Sequence, residues 1–382
     1  MSRVRSWVSI VFMALAAPLA AGERARDLGV PFEGTPGPLD AITDVAGVEV
    51  GHRTLIRGEG KRVVGSGPVR TGVTAIFPRG KANADDPVFA GYVALNGNGE
   101  LTGTAWLSES GFLEGPILWT NTHSVGVVRD AVVAWKLRHG GADASGYPWS
   151  LPVVGETWDG ELNDIDGFHV KAEDAWAAMD AARGGAVEEG SVGGGTGMVC
   201  YELKGGIGTA SRVLPAKAGG YTVGVLVQCN CGRRAQLRIA GVDLGARVAG
   251  HLVRSGDSGS ILIAVATDAP LLPHQLQRLA RRAALGLART GSVSGNGSGD
   301  LFLAFSTANP GAAHPAAGKP SSLQALANEA MDPLFTAVVQ ATEEAIVNSM
   351  LASGPMVGAD GIEVIALPHD VVRDAFAGAA QR

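Results

Sequence analysis

The residues best suited to chemistry lie in Gly295-Asn296-Gly297-Ser298-Gly299-Asp300, where one hydroxyl stands among three glycines with a carboxylate two positions behind it. Glycine on both sides lets the backbone take tight conformations that a β-carbon forbids, and it leaves the hydroxyl open to a neighbouring carbonyl. Such a serine is a candidate nucleophile. The carbonyl closest to hand is that of Gly297, and attack on it gives an ester whose hydrolysis frees Ser298 as a new amino terminus. The freed residue has a hydroxyl and an α-amino group of pKa about 8, near enough to neutrality for the amine to act as base for its own hydroxyl. The same composition also makes an ordinary turn, so the segment alone leaves both readings open.

Other chemistries find less support. Ser298 is followed by Gly-Asp-Leu, which fits neither the Gly-x-Ser-x-Gly elbow nor Ser-x-x-Lys. The run Gly-Gly-Gly-Thr-Gly at 193–197 precedes the strand-like "MVCYEL" instead of opening a helix, which argues against a dinucleotide loop. His123 and His274 are tempting bases, but neither stands in a triad context. No cluster of His, Asp, Glu and Cys has metal-ligand spacing, and "NDID" at 163–166 is too short for a calcium loop, so no metal and no cofactor are expected. Cys200, Cys229 and Cys231 cannot all pair within one chain. No disulfide framework is expected, and Cys229 and Cys231 are read as small apolar residues alternating along a strand, although an oxidising compartment would permit a bridge.

These candidates must be held by a sizeable fold. The chain has 382 residues, 46% of them hydrophobic, enough for a large core. Its 55 glycines show no three-residue period and interrupt apolar strand-like segments, which suits turns and close backbone contacts in a sheet-rich enzyme. The net charge of −6 disfavours nucleic-acid binding, and the short basic runs at 233–238 and 278–282 are read as solvated faces at helix ends. Residues 1–22 combine two arginines, an apolar run and small residues around Ala21. They are read as a secretory signal, which leaves a periplasmic or secreted chain from Glu23 with a net charge of −8. No later segment has about 18 consecutive apolar residues, so no membrane span is expected.

Strands are predicted at 41–51, 71–80, from 116 to a Thr-Asn-Thr-His turn at 120–123, and at 150–157, 221–230, 259–268, 301–307 and 358–368. Helices are predicted through Val127, Val128, Val132, Val133 and Leu137, and from about 171 to 183, 272 to 289 and 332 to 351. Leu276, Leu279, Ala283 and Leu287 form the apolar face of the third, and Asp332-Pro333 caps and opens the last. Residues 308–322 have the composition of a mobile surface loop. With no fixed-length repeat and no composition break, one α/β sandwich is the economical reading.

Longer blocks carry more information. The segments "PGPLDAITDVAGVEVGH", "LPVVGETWDG", "GGGTGMVCYELKGGIGTASR", "VGVLVQCNCG", "ATDAPLLPHQL", "RTGSVSGNGSGDLFLAFSTAN" and "DPLFTAVVQATEEAI" run in order from about residue 26 to 350. Together they resemble the L-aminopeptidase D-amidase/D-esterase family, which includes the β-peptidyl aminopeptidases. The resemblance implies an αββα four-layer sandwich similar to the N-terminal-nucleophile hydrolases but differently connected. It also implies self-cleavage between Gly297 and Ser298 into a large subunit, 23–297, and a small one, 298–382, which stay associated in one compact domain and often assemble as a homotetramer.

Site roles follow from the same resemblance. Ser298 would be the nucleophile, and the supporting pair that the family spaces as Ser-x-Glu would fall at Thr342 and Glu344, with Glu343 as an alternative carboxylate. Glu156 would hold the free amino group of the substrate, with Trp158 shaping the pocket where some relatives carry tyrosine. Asn230 is the candidate side-chain oxyanion donor. The expected activity is removal of L-α-, D- or β-amino acids from short peptides, amides or esters. Two alternatives stand beside it: a self-cleaved acyltransferase of the ornithine-acetyltransferase type, and a non-enzymatic secreted binding protein.

Overall fold

The two apolar runs Ser260–Thr267 and Gly299–Ser306 are buried along their whole length and pair in parallel, as strands covered on both faces do. The computed structural model describes residues 23–139, 149–253, 259–314 and 319–378, so the predicted signal segment and part of the predicted 308–322 loop lie outside the described residues. In chain order the first strands are β1 (Glu49–Arg57), β2 (Val69–Phe77), β3 (Val88–Gly97), β4 (Phe112–Leu113), β5 (Ile117–Asn121) and β6 (Val153–Thr157). They are followed by β7 (Val199–Cys200), β8 (Leu203–Lys204), β9 (Gly206–Val213), β10 (Thr222–Asn230), β11 (Arg238–Ile239) and β12 (Val242–Asp243). The last are β13 (Ser260–Thr267), β14 (Gly299–Ser306), β15 (Met356–Val357) and β16 (Glu363–Val364). The helices are α1 (Thr104–Ser110), α2 (Val125–His139), α3 (Ala172–Ala181), α4 (Pro273–Arg289), α5 (Asp332–Leu351) and α6 (His369–Phe376).

One sheet has the order β1-β2-β5-β6 and the other β4-β3-β14-β13-β10-β9. Their facing sides share a core that includes Ile76, Trp119 and Val153 from the first sheet and Leu226, Leu262, Leu301 and Phe305 from the second. On the outer side of the large sheet, α4 and α5 bury Leu276, Leu279, Ala283, Leu287, Leu334 and Val338. On the outer side of the small sheet, α2 and α3 bury Val128, Val132, Trp135 and Met179. The layers are therefore helix, sheet, sheet, helix, the αββα sandwich that the resemblance implied. Burial of each large aliphatic side chain in such layers contributes roughly 1.5–3 kcal/mol.

The predicted apolar face of α4 is buried as expected, and Pro273 in its first turn is joined by a cap in which Leu272 N donates to Gln275 Oε1 at 3.0 Å. Other expectations change. The first strand begins at Glu49, because Ile42–Asp44 form a helical turn and Gly47 reverses the chain at φ 90°. Helix α5 starts at Asp332 without a side-chain cap. The predicted last strand is a helical turn, the two-residue β16 and then α6, since Gly361 and Asp360 both take positive φ. Strand β9 was hidden in a Gly-rich stretch, where glycine lowers strand propensity but allows Gly208 to lie under α5. Cys200 and Cys229 are joined as a disulfide, and Cys231 Sγ lies 3.9 Å from Cys229 Sγ. The framework expectation was thus too austere, because sequence spacing says nothing about β7 folding back against the end of β10. In the basic run at 233–238, Arg234 is buried and donates to the Glu202 and Gly250 carbonyls instead of facing solvent.

Candidate active site

The site is built on one end of the large sheet. Asn230 of β10 pairs with Ser260 of β13, Ser260 with Gly299 of β14, and Gly299 with Gly97 of β3, so a single transverse row carries these positions side by side. Between Asp300 and Leu301 the β3–β14 register shifts, leaving Leu95 of β3 as the extra residue of a bulge. A bulge re-aims the side chains beside it. Here it turns Asn96 onto the serine loop, where its amide donates to the carbonyls of Gly295 at 3.1 Å, Asn296 at 3.3 Å and Ser298.

Ser298 is buried at the entry to β14, and its hydroxyl donates to Asp300 Oδ1 at 2.7 Å. Its own N–H closes a turn on the Gly295 carbonyl at 2.8 Å, and the next N–H, of Gly299, donates to Ser260 Oγ at 3.1 Å. Asn98 Nδ2 donates to the carbonyl of Gly297 at 2.9 Å. The chain therefore places a carboxylate on the Ser298 hydroxyl and an amide donor on the Gly297 carbonyl. Ser298 is 1% exposed.

Glu156, at the end of β6 in the small sheet, faces the same place. A β-carbon on Gly99 would lie 3.2 Å from Glu156 Oε1 and 3.3 Å from Gly299 Cα, so any larger residue would press on the carboxylate and on the start of β14. Glu156 accepts from Glu100 N at 3.0 Å and from the hydroxyl of Thr122. Gln228 ties the two sheets together by donating to Thr120 O at 3.0 Å and Thr157 Oγ1 at 2.7 Å, which fixes the separation of β6 from β10. Burial pushes the Glu156 carboxyl above its ordinary value, against the lowering pull of the Thr122 and Glu100 hydrogen bonds. Glu156, Trp158, Thr122, Ser260, Asn98 and Gly297 line a cleft of about 510 Å³. Trp158 is 38% exposed, so it forms a wall that a ligand can touch.

Asn230 sits beneath this cleft. Fully buried, it accepts from Val199 N at 2.7 Å and donates to the Trp158 carbonyl at 2.9 Å, so its carboxamide holds the chain that carries Trp158. The side chain that reaches the Gly297 carbonyl is Asn98.

Thr342 and Glu344 are not brought to Ser298. Residues two apart on a helix face different neighbours, and here Thr342 packs against Gly286 of α4 while Glu344 turns toward β9. Glu344 accepts from Arg212 Nη2 at 2.7 Å and from Arg26 at 2.7 and 2.9 Å. Arg212 pairs with Val223, at the opposite end of β9 and β10 from the row that includes Asn230. Glu343 bonds Arg289 at 3.1 Å and accepts from Ala240 N at 3.2 Å. All three are held in structural contacts. Glu344→Gln is accordingly expected to lower stability by about 3 kcal/mol, because it breaks a buried charge pair. Urea unfolding measures that loss, while kcat of the folded variant stays within a few-fold of wild type. A large fall in kcat at unchanged stability would restore Glu344 to the catalytic group.

Asn96, Asn98 and Thr122 were not singled out from sequence. The available signal was the "NGNGE" run at 96–100, which repeats the Asn-Gly character of the serine loop opposite it.

A family model described as Peptidase family S58 matches residues 40–364. The β-peptidyl aminopeptidase BapA of Sphingosinicella microcystinivorans is 52% identical over 375 residues, covering 94% of this chain and 92% of the relative. Among solved structures, a Burkholderia sp. β-aminopeptidase matches with a TM-score of 0.85 and 48% identity, covering 94% of this chain and all of the other. The L-aminopeptidase D-Ala-esterase/amidase of Ochrobactrum anthropi matches with a TM-score of 0.84 and 44% identity over 94% of this chain and 99% of that one; its description calls it a prototype for the serine aminopeptidases and a new variant among the Ntn hydrolase fold. With its αββα layers and this likeness along nearly all of its length, the chain belongs to peptidase family S58.

Proposed function

We propose that the chain is a self-processing serine aminopeptidase and amidase that removes amino-terminal residues from short peptides, amides or esters through an acyl-enzyme on Ser298. The observation that carries this reading is a buried carboxylate, Glu156, in the same cleft as Gly297 and one glycine away from the nucleophile strand. A carboxylate there pairs with a free ammonium group and thereby holds the adjacent carbonyl in the cleft that Ser260 and Gly297 also line. Self-cleavage of the Gly297–Ser298 bond is part of this proposal, and it would supply an amine as base for the serine hydroxyl.

The names of the relatives extend the proposed substrates to β-amino acid termini alongside L-α- and D-residues. The test is a panel of L-α-, D-α- and β-aminoacyl amides, each with its N-acetylated twin. Release of amine from the free-amino members, with the acetylated twins at least about 10²-fold slower, is the expected result. Equal turnover of both sets would remove the amino-terminal specificity. No turnover of any member by processed protein would remove the enzyme reading.

A further inference from the structure

We propose that Thr122 is a positioning residue of the amino-terminal receptor, its hydroxyl holding Glu156 as an oriented carboxylate ready for a substrate ammonium group. The inference rests on the reading of Glu156 as that receptor and adds the side chain that keeps it competent.

The carboxylate is in an unfavourable place. Glu156 is 4% exposed, and among the described residues lining its cleft there is no lysine or arginine to balance its charge. A buried anion without a counter-ion persists only where hydrogen bonds hold it. One reaches each oxygen: Glu100 N donates to Oε1 at 3.0 Å, and the Thr122 hydroxyl donates to Oε2. Any residue but proline at position 100 supplies the first, because it is a backbone amide. The second depends on a hydroxyl at position 122.

Strand register explains how the hydroxyl arrives. β5 and β6 run parallel with Thr120 beside Glu156 and Asn121 beside Thr157. After Asn121 the chain leaves strand geometry for a helical turn, Thr122–Ser124, that leads directly into α2. The turn places the Thr122 hydroxyl on the carboxylate and in the wall of the cleft. Thr122 follows β5 of the small sheet and Glu100 follows β3 of the large one, so the carboxylate is anchored to both sheets.

The electrostatics agree with the geometry. Burial is the largest influence on Glu156 and raises its pKa, and the Thr122 hydroxyl is the largest one opposing it, ahead of the Glu100 amide. The Glu100 carboxylate adds a smaller rise and His123 a smaller lowering; His123 is itself paired with Asp166 at 3.2 Å. Loss of the hydroxyl therefore raises the pKa further, and the charged form, present above that value, disappears at a higher pH on acidification.

The test is the pH dependence of kcat and KM on a free-amino aminoacyl amide, with thermal unfolding of each variant reporting its fold. Thr122→Val keeps the shape and removes the hydroxyl, Thr122→Ser keeps the hydroxyl, and Glu156→Gln identifies the limb that belongs to the receptor. The expected result is an acid limb of kcat/KM displaced to higher pH in Thr122→Val, about tenfold below wild type on that limb, with more of the loss in KM than in kcat. Thr122→Ser should keep the wild-type limb. A folded Thr122→Val whose limb stays at the wild-type pH would overturn the proposal, and the receptor reading would stand if Glu156→Gln still removed the limb. A uniform fall in kcat at every pH would make Thr122 structural and count equally against it. A limb that survives unchanged in Glu156→Gln would remove the receptor reading and this proposal together. Should the valine variant unfold early, Thr122→Ala, which removes the same hydroxyl without the branched bulk, decides by the same criterion.

Discussion

Ser298→Ala is expected to accumulate as one polypeptide, while wild type separates into fragments that meet at Gly297–Ser298. The variant loses both the attacking oxygen and the route to a free amino terminus, so turnover of aminoacyl amides should fall by about 10⁶-fold, the scale seen when a serine nucleophile is removed. The fold should be unaffected, because the serine hydroxyl makes one side-chain hydrogen bond, to Asp300, and the backbone bonds of Ser298 to Gly295 and of Gly299 to Ser260 remain. Intact mass under denaturing conditions reads the first effect and an amide-release assay the second. Two fragments from the alanine variant would move the cleavage chemistry to another group.

The second large effect is expected at Glu156. Glu156→Gln keeps the shape and the hydrogen-bonding ends but removes the charge that pairs with a substrate ammonium. A buried pair broken on one side costs about 3–5 kcal/mol, so kcat/KM for free-amino substrates should fall by about 10²–10³-fold, and the preference over N-acetylated substrates should shrink with it. The pH profile carries the sign. Burial raises the carboxyl's pKa above 4.5, so the charged form that binds the ammonium is present above that raised value and is lost as pH falls through it. Wild-type kcat/KM should therefore show an acid limb with its inflection above 4.5. The glutamine variant should lack that limb. An acid limb that survives unchanged in Glu156→Gln would assign it to a different group, and kcat/KM within threefold of wild type would end the ammonium-receptor role.

The two predictions separate the proposed nucleophile from the proposed receptor because the two groups come from different sheets. Ser298 is set by β14 and its loop, whereas Glu156 is set by β6 and is bridged to the large sheet through Gln228. A change that loosens the Gln228 bridge would shift one relative to the other without touching either.

Local chemistry made much of this protein legible in its sequence. The continuous apolar runs at 259–268 and 301–307 announced strands buried on both faces, and the 3.6-residue spacing of Leu276, Leu279, Ala283 and Leu287 announced the helix beneath them. The lone serine among glycines identified a candidate nucleophile, and long ordered blocks identified the αββα sandwich and the carboxylate at 156. The tertiary structure alone decided what surrounds them. Asn96 and Asn98 reach the serine loop because β3 pairs with β14 across about 200 residues of chain and bulges at Leu95, neither of which leaves a periodic trace. Thr342 and Glu344 matched a pattern by spacing, yet the roll of α5 against α4 and β9 sends them to Gly286 and Arg212. The disulfide between Cys200 and Cys229 depends on β7 meeting the end of β10. In each case the sequence determined what a residue can do, through its side chain and its immediate neighbours. Which partner it meets was decided by strand register and helix rotation, because those are set by the packing of the whole core.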